Sequence, residues 1–495
     1  MATNSAVTEL DAVVVGAGFS GMYMLHLLRE QGLAVRAYES GGNVGGTWYW
    51  NRYPGLRCDS ESLYFNYTFS KELYEGWTWT SRFPAQPEIL RYLNYVADKL
   101  DLRKDIQFNT RINSAHFDGE TNKWNVTTDT GEKIVAKYFI TGLGCLSATN
   151  LPNFKGLENF KGEWYHTGKW PHEEVDFKGK RVGIIGTGST GIQAIPVIAK
   201  RAEHLTVFQR TPQYTIPARN KPLDPEDIKN AKENFDEIAY ELRHKSAAGL
   251  PVYQLNKSAL EVTPEERRKH YERLWEKGGP NFISESYYDL LSNAEANETA
   301  AEFVREKIRG IVKDPETAKK LTPTYPIGTK RIVIDTDYYE TYNRDNVTLV
   351  DVKAAPIEEI TENGIRTADS EYELDIIIFA TGYDAMTGPL LRIDIRGRNG
   401  ITLKEKWDNG ADVQTYLGLS VAEFPNMFTI TGPQSPSVLA NVPIMIEQHV
   451  EWVADAVEYM EKNNIETMEA SDEAAKAWSE HCAELANQTL PYILH

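Results

Sequence analysis

Two stretches of this chain repeat one pattern: a short apolar run, six residues carrying three glycines, then a helical repeat. In the first, residues 11–15 suit a buried parallel strand, and Gly16-Ala17-Gly18-Phe19-Ser20-Gly21 follows. A helical pattern then runs through Met22, Leu25 and Leu28, and residues 34–38 read as a second strand ending at Glu39. Strand, glycines, helix, strand and terminal acid in register are far more specific than the glycines alone. Gly16 permits the tight turn, Gly18 lets a pyrophosphate approach the backbone, and Gly21 lets helix pack on strand. The helix N-terminus adds unpaired N–H groups and a positive dipole. Glu39 is placed to accept hydrogen bonds from ribose hydroxyls.

In the second stretch, residues 181–185 form the strand, Gly186-Thr187-Gly188-Ser189-Thr190-Gly191 the turn, and residues 192–200 the helix. The next strand, 205–208, runs into Gln209-Arg210-Thr211 and carries no acid there. A cation at this place favours a 2′-phosphate, so this cradle is expected to prefer NADPH over NADH. An ordinary solvated arginine after a strand is the alternative reading. Two cradles imply two dinucleotides, and FAD with NADPH is the parsimonious pair. The expected fold class is therefore α/β, with two Rossmann-like dinucleotide-binding domains. Residues 138–140 running into Thr141-Gly142, and 374–379 running into Ala380-Thr381-Gly382-Tyr383-Asp384, read as strands ending in small-residue turns. Backbone passes close to a cofactor or another strand at such turns.

At 495 residues the chain has room for two to four folding units at ~100–200 residues each. Its 41% apolar content excludes global disorder. With 53 Lys and Arg against 71 Asp and Glu, the formal net charge is −18. Such a surface repels phosphate backbones, so nucleic acid is not an expected partner. The apolar run 374–380 falls short of the ~20 residues a membrane span needs, and residues 1–4 show no secretory signal. No membrane partner and a cytoplasmic location are expected. Cys58, Cys145 and Cys482 contain no CxxC pair, which disfavours a disulfide reductase. His166, His172, Glu173 and Glu174 have ligand chemistry but match no metal motif, so no metal is expected.

The pattern between and beyond the cradles divides the chain. A helix is expected over 87–100, a turn at 128–131, and a connector over 151–162. Residues 222–320 turn charged and helical, with Thr263-Pro264-Glu265-Glu266 reading as an N-cap, a proline at the first helical position and acids in the first turn. Strand-like 332–334 and 347–350 follow, then helices over 446–463 and 478–488. The expected division is an FAD domain over 1–146 and 384–495, an NADPH domain over 147–224 and 326–383, and a helical insertion over 225–325.

Between the cradles, the run from Phe160 and Gly162 through His166 to Trp170 and Pro171 resembles the FxGxxxHxxxW(P/D) fingerprint of type I Baeyer–Villiger monooxygenases. The segment Gly45-Gly46-Thr47-Trp48-Tyr49-Trp50-Asn51-Arg52-Tyr53-Pro54-Gly55 is similar to that family's flavin-side segment, as are Gly328-Thr329-Lys330-Arg331 and 379–384 to their counterparts. Flavin-containing N- and S-oxygenases carry a related fingerprint without the terminal Trp-Pro.

The resemblance implies that NADPH reduces FAD, O₂ adds at flavin C4a, and the peroxide attacks a ketone to give an ester or lactone. It implies Arg331 as the catalytic cation and Asp59 as the acid that holds it; a purely structural ion pair is what these two residues would suggest on their own. Gly46, Thr47, Trp48 and Asp59 are implied on the FAD side. Lys330, with Arg210 and Thr211, is implied at the 2′-phosphate. His166 and Trp170 are expected in the linker between domains, coupling them. Gln434-Ser435-Pro436-Ser437-Val438-Leu439-Ala440 resembles the family's active-site loop, making Ser437, Val438 and Leu439 candidates for the ketone pocket, against the alternative of a surface turn. Family members continue past residue 495 through a loop that helps to close the site, so loss of that closure would be expected to release hydrogen peroxide. The competing functions are N- or S-oxygenation and a non-catalytic, redox-dependent FAD-binding module.

Overall fold

A computed structural model describes residues 7–490. The expectations attached to residues 1–4 and 491–495 lie outside the described residues. Two sheets organise the chain. The first runs through the strands Asp394–Arg396, Ile112–Asp118, Lys123–Thr128, Lys133–Thr141, Thr8–Val15, Val35–Tyr38 and Ile106–Gln107, with Met427–Thr429 also paired to Lys133–Thr141. Around Thr8–Val15 every pairing is parallel, and Val15 sits opposite both Tyr38 and Thr141. Three strands therefore end level, and Gly16, Glu39 and Gly142 emerge together at one sheet edge. Ligands of open parallel sheets bind at this carboxyl edge.

The strand Thr8–Val15 is apolar without alternation because both of its faces are covered. Ala12 and Val14 pack with Met24, Leu25 and Leu28 of the helix Phe19–Glu30 and with Val450 and Val453 of the helix Val442–Lys462. Val13 and Val15 face the opposite core with Trp124, Phe139 and Trp407. Burial on both faces favours a continuous apolar run in a parallel strand.

The second sheet is wholly parallel, in the order Val347–Asp351, His204–Gln209, Arg181–Ile185, Ile376–Phe379, Glu163–His166. Ile185 pairs with Phe208 and Phe379, so Gly186, Gln209 and Ala380 leave the sheet at one edge. Its edge strand, Glu163–His166, corrects the expectation that the fingerprint lies in a linker. Phe379 pairs with His166, so the middle of the fingerprint is part of the sheet itself.

The helices Pro225–Glu233, Phe235–Tyr240, Pro264–Lys277, Ala294–Ile311 and Pro315–Leu321 occupy the charged stretch. Tyr271, Phe303 and Ile308 share one core with Val182, Ile184 and Val207 of the second sheet. Thr263 caps its helix reciprocally: its hydroxyl accepts from Glu266 N–H at 3.2 Å, and Glu266 Oε2 accepts from Thr263 N–H at 3.2 Å. Val333–Asp335 pairs with Thr215–Pro217 as a separate two-stranded sheet rather than extending the large one. The last helix starts at Asp472, well before residue 478, because the Ser471 hydroxyl accepts from Ala474 N–H at 3.2 Å. Among the described residues no helix is long and apolar enough to cross a membrane.

Two crossovers join the sheets and pair with each other: Asn150 N–H donates to Gly382 O at 3.0 Å, and Asp384 N–H to Ala148 O at 2.8 Å.

Candidate active site

The first cradle is shaped to admit a dinucleotide. Gly16 has φ 102°, and a Cβ on Gly21 would lie 1.8 Å from Gly16 O, so turn and helix meet with no room for a side chain. Gly18 is the N-cap of Phe19–Glu30, and no side chain caps that end. Its first-turn N–H groups are open to phosphate oxygens. Gly46, at φ 51° and ψ −120°, folds the next segment back so that a Cβ on Gly18 would lie 3.3 Å from Gly46 Cα. Thr47 is exposed and Trp48 buried in the short helix Thr47–Trp50 that follows. Glu39 is only 5% exposed. Its Oε2 accepts from Ala17 N–H at 2.9 Å and its Oε1 from Gly41 N–H at 2.6 Å. The acid therefore ties the glycine turn, at Ala17, to its own segment, at Gly41.

The second cradle repeats the backbone but not the ending. A Cβ on Gly186 would meet Ala380 O at 2.4 Å, whereas nothing lies within 4 Å of one on Gly188. That opening stands over the first turn of the helix Ser189–Ala199, with Ser189 exposed and Thr190 and Gly191 beside it, and again no side chain caps the helix. Thr187 is buried, and its hydroxyl donates to Thr211 O at 3.0 Å. Arg210 is exposed, and the Lys330 ammonium lies 5.1 Å from the Tyr325 ring centre. Uncapped helix ends, an open phosphate position and the acid-or-cation contrast fit FAD in the first cradle and NADPH in the second.

Arg331 and Asp59 come from distant parts of the chain and meet. Arg331 Nη2 donates to Asp59 Oδ2 at 2.7 Å and Nε to the same oxygen at 3.1 Å. Arg331 Nη1 donates to Val438 O at 2.8 Å. The Asp59 charge holds the guanidinium pKa above its ordinary value. The structure thus joins the catalytic candidates to the candidate substrate loop. Ser437 is buried at φ 43°, with Oγ 3.7 Å from Met386 Sδ, while Leu439 is 83% exposed. An apolar side chain so exposed beside a cation suits a small organic substrate.

The fingerprint residues sit apart from Arg331. His166 is buried; its Nδ1 accepts from Gly168 N–H at 3.0 Å, and its Nε2 lies 3.2 Å from Asn150 O. Those partners fix a neutral ring with the proton on Nε2, and burial lowers its pKa. Asn150 belongs to one crossover, and Thr381, whose Oγ1 is 3.4 Å from the same nitrogen, belongs to the other. Trp170 packs on Tyr165 and Phe177. Phe160 packs against the core containing Ile360 and Phe379, and a Cβ on Gly162 would lie 2.4 Å from Asp375 O. Pro171 leads into His172, whose Nδ1 is 2.8 Å from Arg52 Nη1 in the flavin-side segment. Among the described residues no group of three or more His, Cys, Asp or Glu is disposed to hold a metal.

Sequence reasoning missed several contacts at this junction. The Tyr383 hydroxyl donates to Asn51 Oδ1. The Tyr53 hydroxyl donates to Gln193 Oε1 at 2.9 Å, and Gln193 Nε2 donates to Arg57 O at 3.0 Å. Asn441 Nδ2 donates to Tyr64 O at 2.7 Å and Gly249 O at 3.0 Å, anchoring the end of the candidate substrate loop. Asn51, Arg52 and Tyr53 belong to the flavin-side segment, which was the available signal; Asn441 carried none.

Two cradles joined by paired crossovers, with an acid-held arginine where they meet, define a flavin-dependent monooxygenase that draws on a nicotinamide. Residues 11–260 match the flavin-binding monooxygenase-like family. The chain is 48% identical, over 99% of its length and 89% of the relative's, to a Baeyer–Villiger monooxygenase of Pseudooceanicola batsensis. It is 45% identical, over 98% of its length and 88% of the relative's, to a phenazine N-monooxygenase of Lysobacter antibioticus. A steroid monooxygenase solved in its oxidised form with NADP superposes with a TM-score of 0.94 at 51% identity, covering 98% of this chain and 92% of that one. The chain belongs to the type I Baeyer–Villiger monooxygenases.

Proposed function

We propose that this enzyme oxidises ketones, aromatic, cyclic or linear, to esters or lactones with NADPH and O₂, and that Arg331 is its catalytic cation. The observation that carries this reading is the meeting of Asp59, Arg331 and the Val438 carbonyl within hydrogen-bonding distance. Residues 1–146 and 384–495 hold FAD, residues 147–224 and 326–383 hold NADPH, and 225–325 form the helical insertion that shares the NADPH-side core. When bound, FAD supplies the activation of O₂ and NADPH the hydride that reduces the flavin.

Arg331 has five N–H donors. Nε and one hydrogen of Nη2 go to Asp59, and one hydrogen of Nη1 goes to Val438 O. Among the described residues the two remaining hydrogens, one on each terminal nitrogen, have no partner and can bind the carbonyl oxygen of a ketone under attack. A guanidinium keeps its charge at working pH, so the oxyanion forming on the ketone carbonyl meets a fixed cation. Asp59 orients that cation. Val438 ties its position to the loop that touches substrate, so that Ser437, Val438 and Leu439 shape the ketone pocket.

The test is product analysis by mass spectrometry after incubation with NADPH, air and either phenylacetone or cyclohexanone. An ester or lactone one oxygen heavier than its ketone is expected; hydrogen peroxide as the sole oxidised product from a panel of ketones would contradict the reading. The phenazine N-monooxygenase relative motivates a second reading, oxygenation at a soft nitrogen. That reaction attacks no carbonyl, so it should survive loss of Arg331, whereas ester formation should not.

A further inference from the structure

We propose that Tyr325 is the positioning residue that sets the preference for a 2′-phosphorylated coenzyme, because it holds the loops carrying both cations. This inference rests on the reading of Arg210 and Lys330 as the 2′-phosphate site. The loop after the strand His204–Gln209 is held through consecutive carbonyls. Thr211 O accepts from the Thr187 hydroxyl at 3.0 Å, Pro212 O lies 3.0 Å from the Tyr325 hydroxyl, and Gln213 O accepts from the Tyr339 hydroxyl at 2.8 Å. The Tyr325 hydroxyl is also 2.8 Å from Gln213 Oε1, so its single proton lies between two acceptors on one loop. Its own carbonyl accepts from the Tyr214 hydroxyl at 2.8 Å, and the Tyr214 and Tyr325 rings meet edge to face at 5.4 Å.

A face of the same ring carries a cation. The Lys330 ammonium stands 5.1 Å from the ring centre, and the attraction of a π face for an ammonium holds it there. Among the described residues neither Lys330 nor Arg210 makes an ion pair with an acid, although the chain carries 71 acids. A carboxylate partner would neutralise Lys330 and compete with phosphate; an aromatic face positions it and leaves its charge unspent. One side chain thereby fixes the loop that starts at Arg210 and cradles Lys330. A coenzyme without the 2′-phosphate gains nothing from either cation and should be indifferent to Tyr325.

Calorimetric titration of the FAD-loaded protein with NADP⁺, NAD⁺ and 2′,5′-ADP tests this without turnover, using Tyr325→Leu, Tyr325→Phe and Arg210→Ala. Tyr325→Leu should weaken NADP⁺ and 2′,5′-ADP about tenfold while NAD⁺ changes less than about twofold. Tyr325→Phe keeps the ring beneath Lys330 and loses only the hydroxyl, so about a threefold loss, again confined to the phosphorylated ligands, is expected. Equal weakening of NADP⁺ and NAD⁺, or no change in either Tyr325 variant, would overturn the inference. If Tyr325→Leu does not fold, Tyr325→Phe decides by the same criterion. Arg210→Ala separates the two levels: if it lowers the NADP⁺ preference and Tyr325→Phe does not, the inference alone fails. If Arg210→Ala also leaves the preference unchanged, the phosphate-site reading fails and takes the inference with it.

Discussion

The two glycine cradles share a backbone and differ in how the following strand ends. In the first, Glu39 is buried, with one oxygen accepting from Ala17 N–H of the glycine turn and the other from Gly41 N–H of its own following segment. In the second, Arg210 is exposed, and the loop behind it is held by hydroxyls of Thr187, Tyr325 and Tyr339. The first arrangement builds the acid proposed to meet the ribose into the cradle wall, which suits a cofactor that stays. The second leaves the cation proposed to meet the 2′-phosphate at an open edge, which suits a coenzyme that arrives and leaves. The same local fold is thus specialised by one residue and by what braces it.

The strongest way to break the comparison is to fill each turn in turn. A Cβ at residue 21 would lie 1.8 Å from Gly16 O, and one at residue 191 would lie 2.2 Å from Gly186 O. Gly21→Ala should yield protein without bound flavin, read by the loss of visible absorbance. Gly191→Ala should retain its flavin and lose NADP⁺ binding by more than about tenfold in a calorimetric titration. Flavin loss from both variants alike would erase the distinction.

Arg210→Ala is expected to raise the NADPH KM about tenfold or more and leave NADH within about twofold; steady-state kinetics with both coenzymes checks this. Glu39→Gln keeps the shape but replaces charge-assisted bonds to Ala17 and Gly41 by weaker or unfavourable ones. Weaker FAD retention by about 1–2 kcal/mol is expected, measured as the flavin dissociation constant.

A smaller effect sharpens the contrast between the FAD-side core and the helices packed on it. Glu447 lies fully buried on the helix Val442–Lys462, accepting from Thr68 N–H and the Thr68 hydroxyl and, at 3.2 Å, from Phe69 N–H, with Arg243 of the helical stretch 3.9 Å away. Burial pushes its pKa up from 4.5 to about 7. A carboxyl raised in the folded state favours folding when protonated, so its contribution is full below the unfolded value and is lost as pH rises through about 7. Glu447→Gln mimics the protonated form. Its melting temperature should match the wild type near pH 4 and exceed it by a few degrees near pH 8.5, corresponding to ~1–3 kcal/mol. A melting-temperature difference independent of pH would contradict this assignment.

Both cradles were legible because apolar strands buried on two faces, glycines and helix follow one another within about thirty residues. The Thr263 cap was legible for the same local reason. The edge strand Glu163–His166 was not: its first two residues are exposed and the third half-buried, so no apolar run announces it. Asp59 and Arg331 stand 272 positions apart, and only their resemblance to a family pattern suggested that they meet. The Val438 contact uses a carbonyl, which every residue has, and so leaves no mark in the sequence. The Tyr325 hydroxyl likewise reaches partners 113 and 112 residues away, and one tyrosine among 26 draws no notice even with Lys330 close by in the chain.

In the proposed reaction the cradles hold the cofactors while Arg331 supplies the cation for carbonyl attack. The most direct measurement is product analysis of Arg331→Ala after its flavin content and NADP⁺ affinity have been shown to match the wild type. Ester should fall by about a thousandfold or more while NADPH is still oxidised and the electrons appear as hydrogen peroxide. Ester formed at the wild-type rate by that variant would contradict this role of Arg331.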